Sequence, residues 1–143
     1  MRVLVVEDEE AIRAFLKEGL ESFPGFAVDV AADREAVEMA RRTSYDVIVT
    51  DMHLAEDLDA TEIISGITRF DPRVRFVLMT GKKRLDVATK LVRALKGNQV
   101  ASFLFKPFDL EELRIAVGRA VGKPRTGAET EMVDSPSPTG IAF

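Results

Sequence analysis

Residues 47–51 read Val-Ile-Val-Thr-Asp, an apolar run that stops at a carboxylate. Three other apolar runs stop at polar side chains in the same way: residues 3–6 before Glu7-Asp8, residues 76–79 before Thr80, and residues 103–105 before Lys106. Short runs rich in Val, Ile and Phe are typical of strands that are buried on both faces of a parallel sheet. The sequence therefore predicts a parallel sheet whose strands end in polar side chains.

Amphipathic stretches alternate with these runs. Apolar residues recur at helical spacing in five segments, which are 12–20, 37–40, 63–67, 85–95 and 110–121. Residues 26–30 alternate between apolar and polar side chains, which fits a half-covered strand at the edge of a sheet. The order of these elements predicts an α/β fold of the type (βα)5, a doubly wound, five-stranded parallel sheet with helices on both faces.

The chain divides into one domain and a tail. Residues 1–121 carry the alternating pattern of strands and helices, whereas residues 122–143 are rich in Pro, Gly, Ser, Thr and charge. Such a composition indicates a flexible C-terminal tail or linker. At this length the tail is too short to fold alone, so we expect no second domain within this sequence.

The composition also excludes several classes of function. The chain has no cysteine, which rules out disulfides, thiol catalysis and cysteine-bound metals. A net charge of -4 argues against general binding to nucleic acid or to a membrane surface. The first apolar run is short and meets four acids at residues 7–10, so it is neither a signal peptide nor a membrane span. We expect a cytoplasmic protein that binds neither membrane nor nucleic acid directly.

The polar strand ends predict chemistry on a phosphoryl group. The carboxyl ends of parallel strands meet at one edge of an open α/β sheet, where ligands bind. Glu7, Asp8 and Asp51 would repel one another there without a cation, and oxygen ligation by few protein groups is typical of Mg²⁺. An aspartate can attack phosphorus, and Lys106 and Thr80 could contact phosphoryl oxygens.

The set Glu7-Asp8, Asp51, Thr80-Gly81 and Lys106-Pro107-Phe108 resembles the receiver domain of bacterial two-component response regulators. The resemblance covers roughly residues 1–121. It implies a flavodoxin-like, chemotaxis-regulator-like fold with the strand order 2-1-3-4-5. It also implies that Asp51 is the phosphoacceptor for a histidine kinase or a phosphotransfer protein.

The resemblance implies a Mg²⁺ site as well. Asp8 and Asp51 would be metal ligands, and Glu7 would act through a water molecule. The backbone carbonyl of His53 would complete the metal shell, so its imidazole need not take part. Lys106 would pair first with Asp51 and later with the phosphoryl group.

The same resemblance implies a route from the phosphoryl group to a partner. Thr80 would move to hydrogen-bond the phosphoryl group, and Phe103 would turn inward as an aromatic switch. The output surface would consist of the fourth predicted helix, the fifth strand and the fifth predicted helix. The loop after Asp51 lacks the usual Pro and Asp-Gly pair of the family, and the stretch from Thr80 to Lys106 is longer than usual. Both departures concern partner recognition and switch geometry.

Three function classes remain open. The leading hypothesis is a phosphorylation-driven switch that catalyses its own phosphorylation and dephosphorylation but turns over no external substrate. The alternative is a degenerate receiver that binds a protein regardless of phosphorylation, which the intact acids, Thr80 and Lys106 disfavour. A phosphohydrolase of the haloacid dehalogenase type would carry a second Asp where this chain has His53. We expect a monomer or weak homodimer, either a stand-alone receiver or the input domain of a longer regulator, with an unknown output partner.

Overall fold

The computed structural model describes residues 1–51, 60–81, 100–122 and 131–133. Within this part of the chain the strands are β1 Arg2–Val6, β2 Ala27–Ala31, β3 Val47–Asp51, β4 Arg75–Gly81, β5 Val100–Lys106 and β6 Glu131–Val133. The helices are α1 Glu10–Glu21, α2 Asp33–Arg42, α3 Ala60–Thr68 and α4 Leu110–Gly122. Helix α4 is the fifth predicted helix, because the helix predicted over residues 85–95 lies outside the described residues.

All six strands are parallel and lie in one sheet, in the order β2-β1-β3-β4-β5-β6. The prediction of a doubly wound α/β fold with the order 2-1-3-4-5 is therefore confirmed for the first five strands. The register aligns the carboxyl ends of the inner strands, since Asp51 pairs with Met79 and Gly81 pairs with Lys106. This alignment brings the polar strand ends to one edge of the sheet.

The sheet separates two buried cores, which explains why the strand sequences are continuously apolar. Leu4 and Val6 of β1 face a first core with α2 and α3, whereas Val3 and Val5 face a second core with α1 and α4. All four side chains are fully buried. Because successive side chains of a strand point to opposite faces, a strand covered on both faces needs apolar residues at every position.

The N-cap of α4 is the one that the sequence indicates, whereas the N-cap of α2 is not. Asp109 accepts a hydrogen bond from the Glu112 backbone N–H at 2.8 Å, as its capping spacing before α4 predicts. By residue type, Asp33 is the candidate cap of the second predicted helix. The structure instead makes Asp33 the first helical residue of α2, and Ala32 occupies the N-cap position. The Glu35 side chain accepts from the Ala32 backbone N–H at 3.3 Å, so the capping interaction is made from inside the helix.

The segment predicted to be a flexible tail differs from that prediction at three residues. Glu131–Val133 forms β6, which pairs in parallel with Ser102–Leu104 of β5. The backbone groups on the outer side of β5 would otherwise lack strand partners, so an extended segment can pair with them. The sequence pattern identifies no strand here because three residues are too few to show a period. The remaining tail residues after Gly122 lie outside the described residues.

No helix in the described part of the chain is both long enough and apolar enough to cross a membrane.

Candidate functional site

The centre of the site is an ion pair between two strand ends. Asp51 is the last residue of β3 and Lys106 is the last residue of β5. The Lys106 Nζ donates to Asp51 Oδ2 at 2.8 Å, and the two side chains are 31% and 15% exposed. Partial burial strengthens a charge-assisted hydrogen bond relative to one in water, while the remaining exposure leaves the carboxylate accessible to a ligand. The structure thus joins two residues that the sequence places 55 positions apart.

Glu7 is a buried acid beside this pair. Glu7 is 4% exposed, and its Oε2 atom makes no hydrogen bond within the described part of the chain. The pKa of Glu7 is raised to about 7, mainly by burial and in addition by the charge of Asp51, while the charge of Lys106 partly opposes the rise. Glu7, directly after β1, and Asp51 of β3 therefore act on one another electrostatically, and the charge of Lys106 opposes this effect only in part.

Arg13 was not identified from the sequence as a site residue. Its guanidinium Nη1 donates to the backbone carbonyls of Glu7 at 2.6 Å and of Asp8 at 2.9 Å. These bonds connect the first turn of α1 to the turn after β1 that carries Glu7 and Asp8. Arg13 therefore orients this acidic turn through its two backbone carbonyls. The Arg13 guanidinium contacts backbone carbonyls, which every residue carries, so no spacing rule would have indicated this contact.

Thr80 lies near the end of β4 and is 2% exposed. Its hydroxyl donates to the carbonyl of Gly81 at 3.3 Å. In the sheet register Thr80 pairs with Phe105 of β5, and Phe103 lies two residues earlier on the same face of that strand. Phe103 is fully buried in the first core. The predicted switch residues are thus neighbours across β4 and β5, and their movement stays a prediction.

The donor set suits a hard cation held by few protein groups. Among the described residues, no cluster of three or more acids and imidazoles is placed to hold a metal between them. Mg²⁺ needs no such cluster, because it usually keeps several waters and binds one or two carboxylates. The Oε2 of Glu7 is buried without a hydrogen bond, and the pKa of that group is raised by burial and by the charge of Asp51, so a cation here would stabilise the charged carboxylates. Asp8, Asp51 and a water-mediated Glu7 therefore fit the predicted Mg²⁺ site.

Two of the sequence predictions cannot be placed. His53, whose carbonyl was expected in the metal shell, lies outside the described residues, as does the loop 52–59 around it. The same holds for residues 82–99, which include the helix predicted over 85–95.

Comparison with known proteins agrees with this fold. The family model of the response regulator receiver domain matches residues 3–118. The response regulator MprA of Mycobacterium leprae is 33% identical over 133 residues, which cover 91% of this chain and 56% of MprA. Sporulation initiation phosphotransferase F of Bacillus subtilis is 27% identical over 121 residues, which cover 81% of this chain and 90% of that protein.

A solved structure shows the same architecture. The beryllofluoride-activated receiver domain dimer of NtrC4 superposes with a TM-score of 0.71 at 32% identity, covering 85% of this chain and 96% of that one. Several of the curated relatives are much longer than this sequence, which spans between 25% and 56% of their length.

Proposed function

Since the chain belongs to the receiver domain family of two-component response regulators, we propose that it is a phosphorylation-driven switch with Asp51 as phosphoacceptor. The donor is a phosphohistidine on a histidine kinase or a phosphotransfer protein. The observation that carries the proposal is the 2.8 Å ion pair between Asp51 and Lys106, located at the sheet edge beside the buried Glu7.

The chemistry is a transfer between two protein side chains. A carboxylate oxygen of Asp51 attacks phosphorus, the phosphorus–nitrogen bond of the donor breaks, and the donor imidazole keeps the bonding electron pair and takes up a proton. In a loose phosphoryl transition state, catalysis consists mainly of positioning and of neutralising charge on the equatorial oxygens. Lys106 is placed for this role, because its ammonium already lies within hydrogen-bond distance of the acceptor carboxylate.

Metal binding completes the charge balance. Asp8 and Asp51 would hold Mg²⁺ directly, Glu7 would hold it through water, and the carbonyl of His53 would add a further oxygen. When bound, the ion neutralises charge on the acceptor and on the phosphoryl oxygens. Arg13 fixes the carbonyls of the turn that carries Glu7 and Asp8, so it maintains the position of these two acids.

The response of the protein passes through β4 and β5. Thr80 would turn its hydroxyl from the Gly81 carbonyl to a phosphoryl oxygen. Its register partner Phe105 and the nearby Phe103 belong to β5, so this strand receives the change first. The output surface is accordingly the segment predicted as a helix at 85–95 together with β5 and α4.

In this proposal the chain is not a turnover enzyme, although its own residues promote both gain and loss of the phosphoryl group. The partner is an output protein or an effector domain of a longer regulator. The alternative, a degenerate receiver that binds its partner regardless of phosphorylation, would not need the ion pair of Asp51 and Lys106 beside a buried acid. We therefore retain the switch as the proposed function.

A beryllofluoride titration with Mg²⁺ separates these functions. The switch predicts saturable binding that changes amide chemical shifts at Thr80 and along β5, and the loss of that response in Lys106→Ala. The matched control Lys17→Ala, in which the changed lysine lies on α1, should respond as the wild type does. A protein that binds its output partner equally well with and without beryllofluoride would be a degenerate receiver.

A further inference from the structure

Arg13 holds the backbone of the acidic turn at three successive residues. Its guanidinium Nη1 donates to the carbonyls of Glu7 at 2.6 Å and of Asp8 at 2.9 Å, and its backbone N–H donates to the carbonyl of Glu9 at 2.9 Å. The Glu7 backbone N–H in turn donates to the carbonyl of Ala31 in β2 at 3.1 Å. The turn that carries Glu7 and Asp8 is therefore held by α1 on one side and by β2 on the other.

Two of these three bonds serve the turn and not the helix. The bond from the Arg13 N–H to the Glu9 carbonyl is an ordinary bond of an α-helix, which spans four residues. Helix α1 begins at Glu10, so the carbonyls of Glu7 and Asp8 lie before it and take no part in its hydrogen-bond ladder. A guanidinium presents its donors in a fixed plane, so one side chain can hold two neighbouring carbonyls in a defined orientation. Arg13 therefore fixes the shape of the turn in addition to continuing the helix.

The fixed shape of this turn bears on which divalent cation the site prefers. Mg²⁺ requires near-ideal octahedral geometry and binds few protein groups, whereas Ca²⁺ takes more oxygen ligands, backbone carbonyls among them, in a flexible geometry. The turn offers Ca²⁺ little of what it needs, because its backbone is held in place and the carbonyls of Glu7 and Asp8 already accept from a guanidinium. A cation that approached these two oxygens would also approach the positive charge of Arg13. Both properties disfavour the larger ion more than the smaller one.

We propose that Arg13 determines the cation specificity of the site, favouring Mg²⁺ over Ca²⁺ by fixing the turn that carries Glu7 and Asp8 and by occupying its carbonyls. Arg13 is a positioning residue, because it acts through the backbone of the two acids. The inference rests on the Mg²⁺ site of the proposed function. The charge of Arg13 alone would weaken the binding of both ions to the same extent, since both are divalent. Specificity therefore comes from the geometry of the turn, by excluding the competing ion.

The test is a pair of metal titrations on the full, unphosphorylated chain. The dissociation constants of Mg²⁺ and of Ca²⁺ are measured separately by calorimetry for the wild type and for Arg13→Met, which removes the donors and keeps an unbranched side chain. We expect Arg13→Met to lose about tenfold in affinity for Mg²⁺ and to keep its affinity for Ca²⁺, so that the ratio of the Ca²⁺ constant to the Mg²⁺ constant falls about tenfold. Arg13→Lys, which keeps a cationic donor, should give a ratio between those of the wild type and Arg13→Met.

Lys17→Met is the matched control. Lys17 lies one turn further along α1 and donates to the Val28 carbonyl of β2 at 2.8 Å, so this variant removes the same charge from the same helix and should keep the wild-type ratio. Circular dichroism with chelator present checks that each variant is folded. Should Arg13→Met not fold, Arg13→Lys decides the question, with a ratio below that of the wild type as the expected result.

The ratio separates the possible roles of Arg13. A wild-type ratio in a folded Arg13→Met would overturn the inference. If both affinities fell together, Arg13 would maintain only the general order of the turn, and if both rose together, it would act only through its charge. A wild type that binds neither ion would instead overturn the proposed metal site, and this inference with it.

Discussion

The ion pair of Asp51 and Lys106 shows what single residues contribute to the site. Both were identified from the sequence, because each ends an apolar run and the ends of parallel strands share an edge. The burial of Glu7 and the lack of a hydrogen bond at its Oε2 atom could not be predicted in this way. Its burial and its unbonded Oε2 depend on how closely β1, β3 and β5 bring their charges together, which local sequence does not specify.

The raised pKa of Glu7 gives a prediction about pH. An acid whose pKa is about 7 in the folded state and about 4.5 when unfolded binds more protons when folded. Stability therefore falls as pH rises from about 4.5 to 7, and the cost of the buried charge is fully present above pH 7. With chelator present, Glu7→Gln should raise the free energy of unfolding at pH 8 by about 1–3 kcal/mol and leave it nearly unchanged at pH 4.5.

Urea unfolding of Glu7→Gln and wild type at both pH values measures this difference. The exposed variant Glu38→Gln on α2 is the control and should show no such pH-dependent gain. A loss of stability at pH 8 in Glu7→Gln would show that the Glu7 charge is compensated within the protein.

Lys106 yields a second prediction at the scale of the residue. Because its charge lowers the pKa of Glu7, Lys106→Ala should raise that pKa above its wild-type value. The same variant should keep its affinity for Mg²⁺ but lose at least about 90% of the beryllofluoride response, since the ammonium that contacts the ligand is gone. Carboxyl chemical shifts of Glu7 across pH report the first effect. An unchanged Glu7 titration in Lys106→Ala would contradict the proposed charge balance.

At the scale of elements, the sequence predicted the strands and helices wherever a period extends over several residues. The continuous apolar run of β1 predicted its burial on both faces, and the helical spacing of apolar residues predicted the apolar face of α1. The cap of α2 and the strand β6 were not predicted, because one depends on a single residue's backbone angles and the other on an available sheet edge. Contacts between distant helices, such as that between α1 and α4, also carry no local signal.

The contact between α1 and α4 depends on Gly19. A Cβ at this position would lie 2.7 Å from Leu110 Cδ1, so an alanine forces the Leu110 side chain to move. Gly→Ala within a helix otherwise stabilises by roughly 0.5–1 kcal/mol. We expect Gly19→Ala to gain less than this in the wild type and the full amount in a Leu110→Ala background.

A double-mutant cycle by urea unfolding measures the coupling, which should be at least about 0.5 kcal/mol. Gly118→Ala on α4 is the control, because a Cβ there meets no atom within 4 Å. It should stabilise equally in both backgrounds. A coupling near zero between Gly19 and Leu110 would contradict the close approach of the two helices.

At the scale of the whole molecule, the sheet connects the phosphoryl site to one side of the protein. Thr80 and Phe103 lie on the face that α2 and α3 cover, next to β5. The sequence predicted this layout through the family resemblance, but the direction of any movement depends on a second conformation. For that reason the positions of Thr80 and Phe103 are known, while their role as a switch stays a prediction.

The layout predicts where activation changes the molecule. On addition of beryllofluoride and Mg²⁺, the largest amide shifts away from the strand ends should occur in β5, α4 and residues 85–95. Helix α1 serves as the internal reference, because it packs on the second core and should change less. Largest remote changes on α1 would show that the output surface is wrongly assigned.

Phosphorylation of Asp51 itself tests the central claim most directly. Incubation of the full chain with acetyl phosphate and Mg²⁺, followed by intact-mass measurement, should show one added phosphate. The label should be absent after chelation and in Asp51→Asn, and present in Asp46→Asn, which changes an exposed acid just before the opposite end of β3. Full labelling of Asp51→Asn, or no Mg²⁺-dependent labelling of the wild type, would contradict the account.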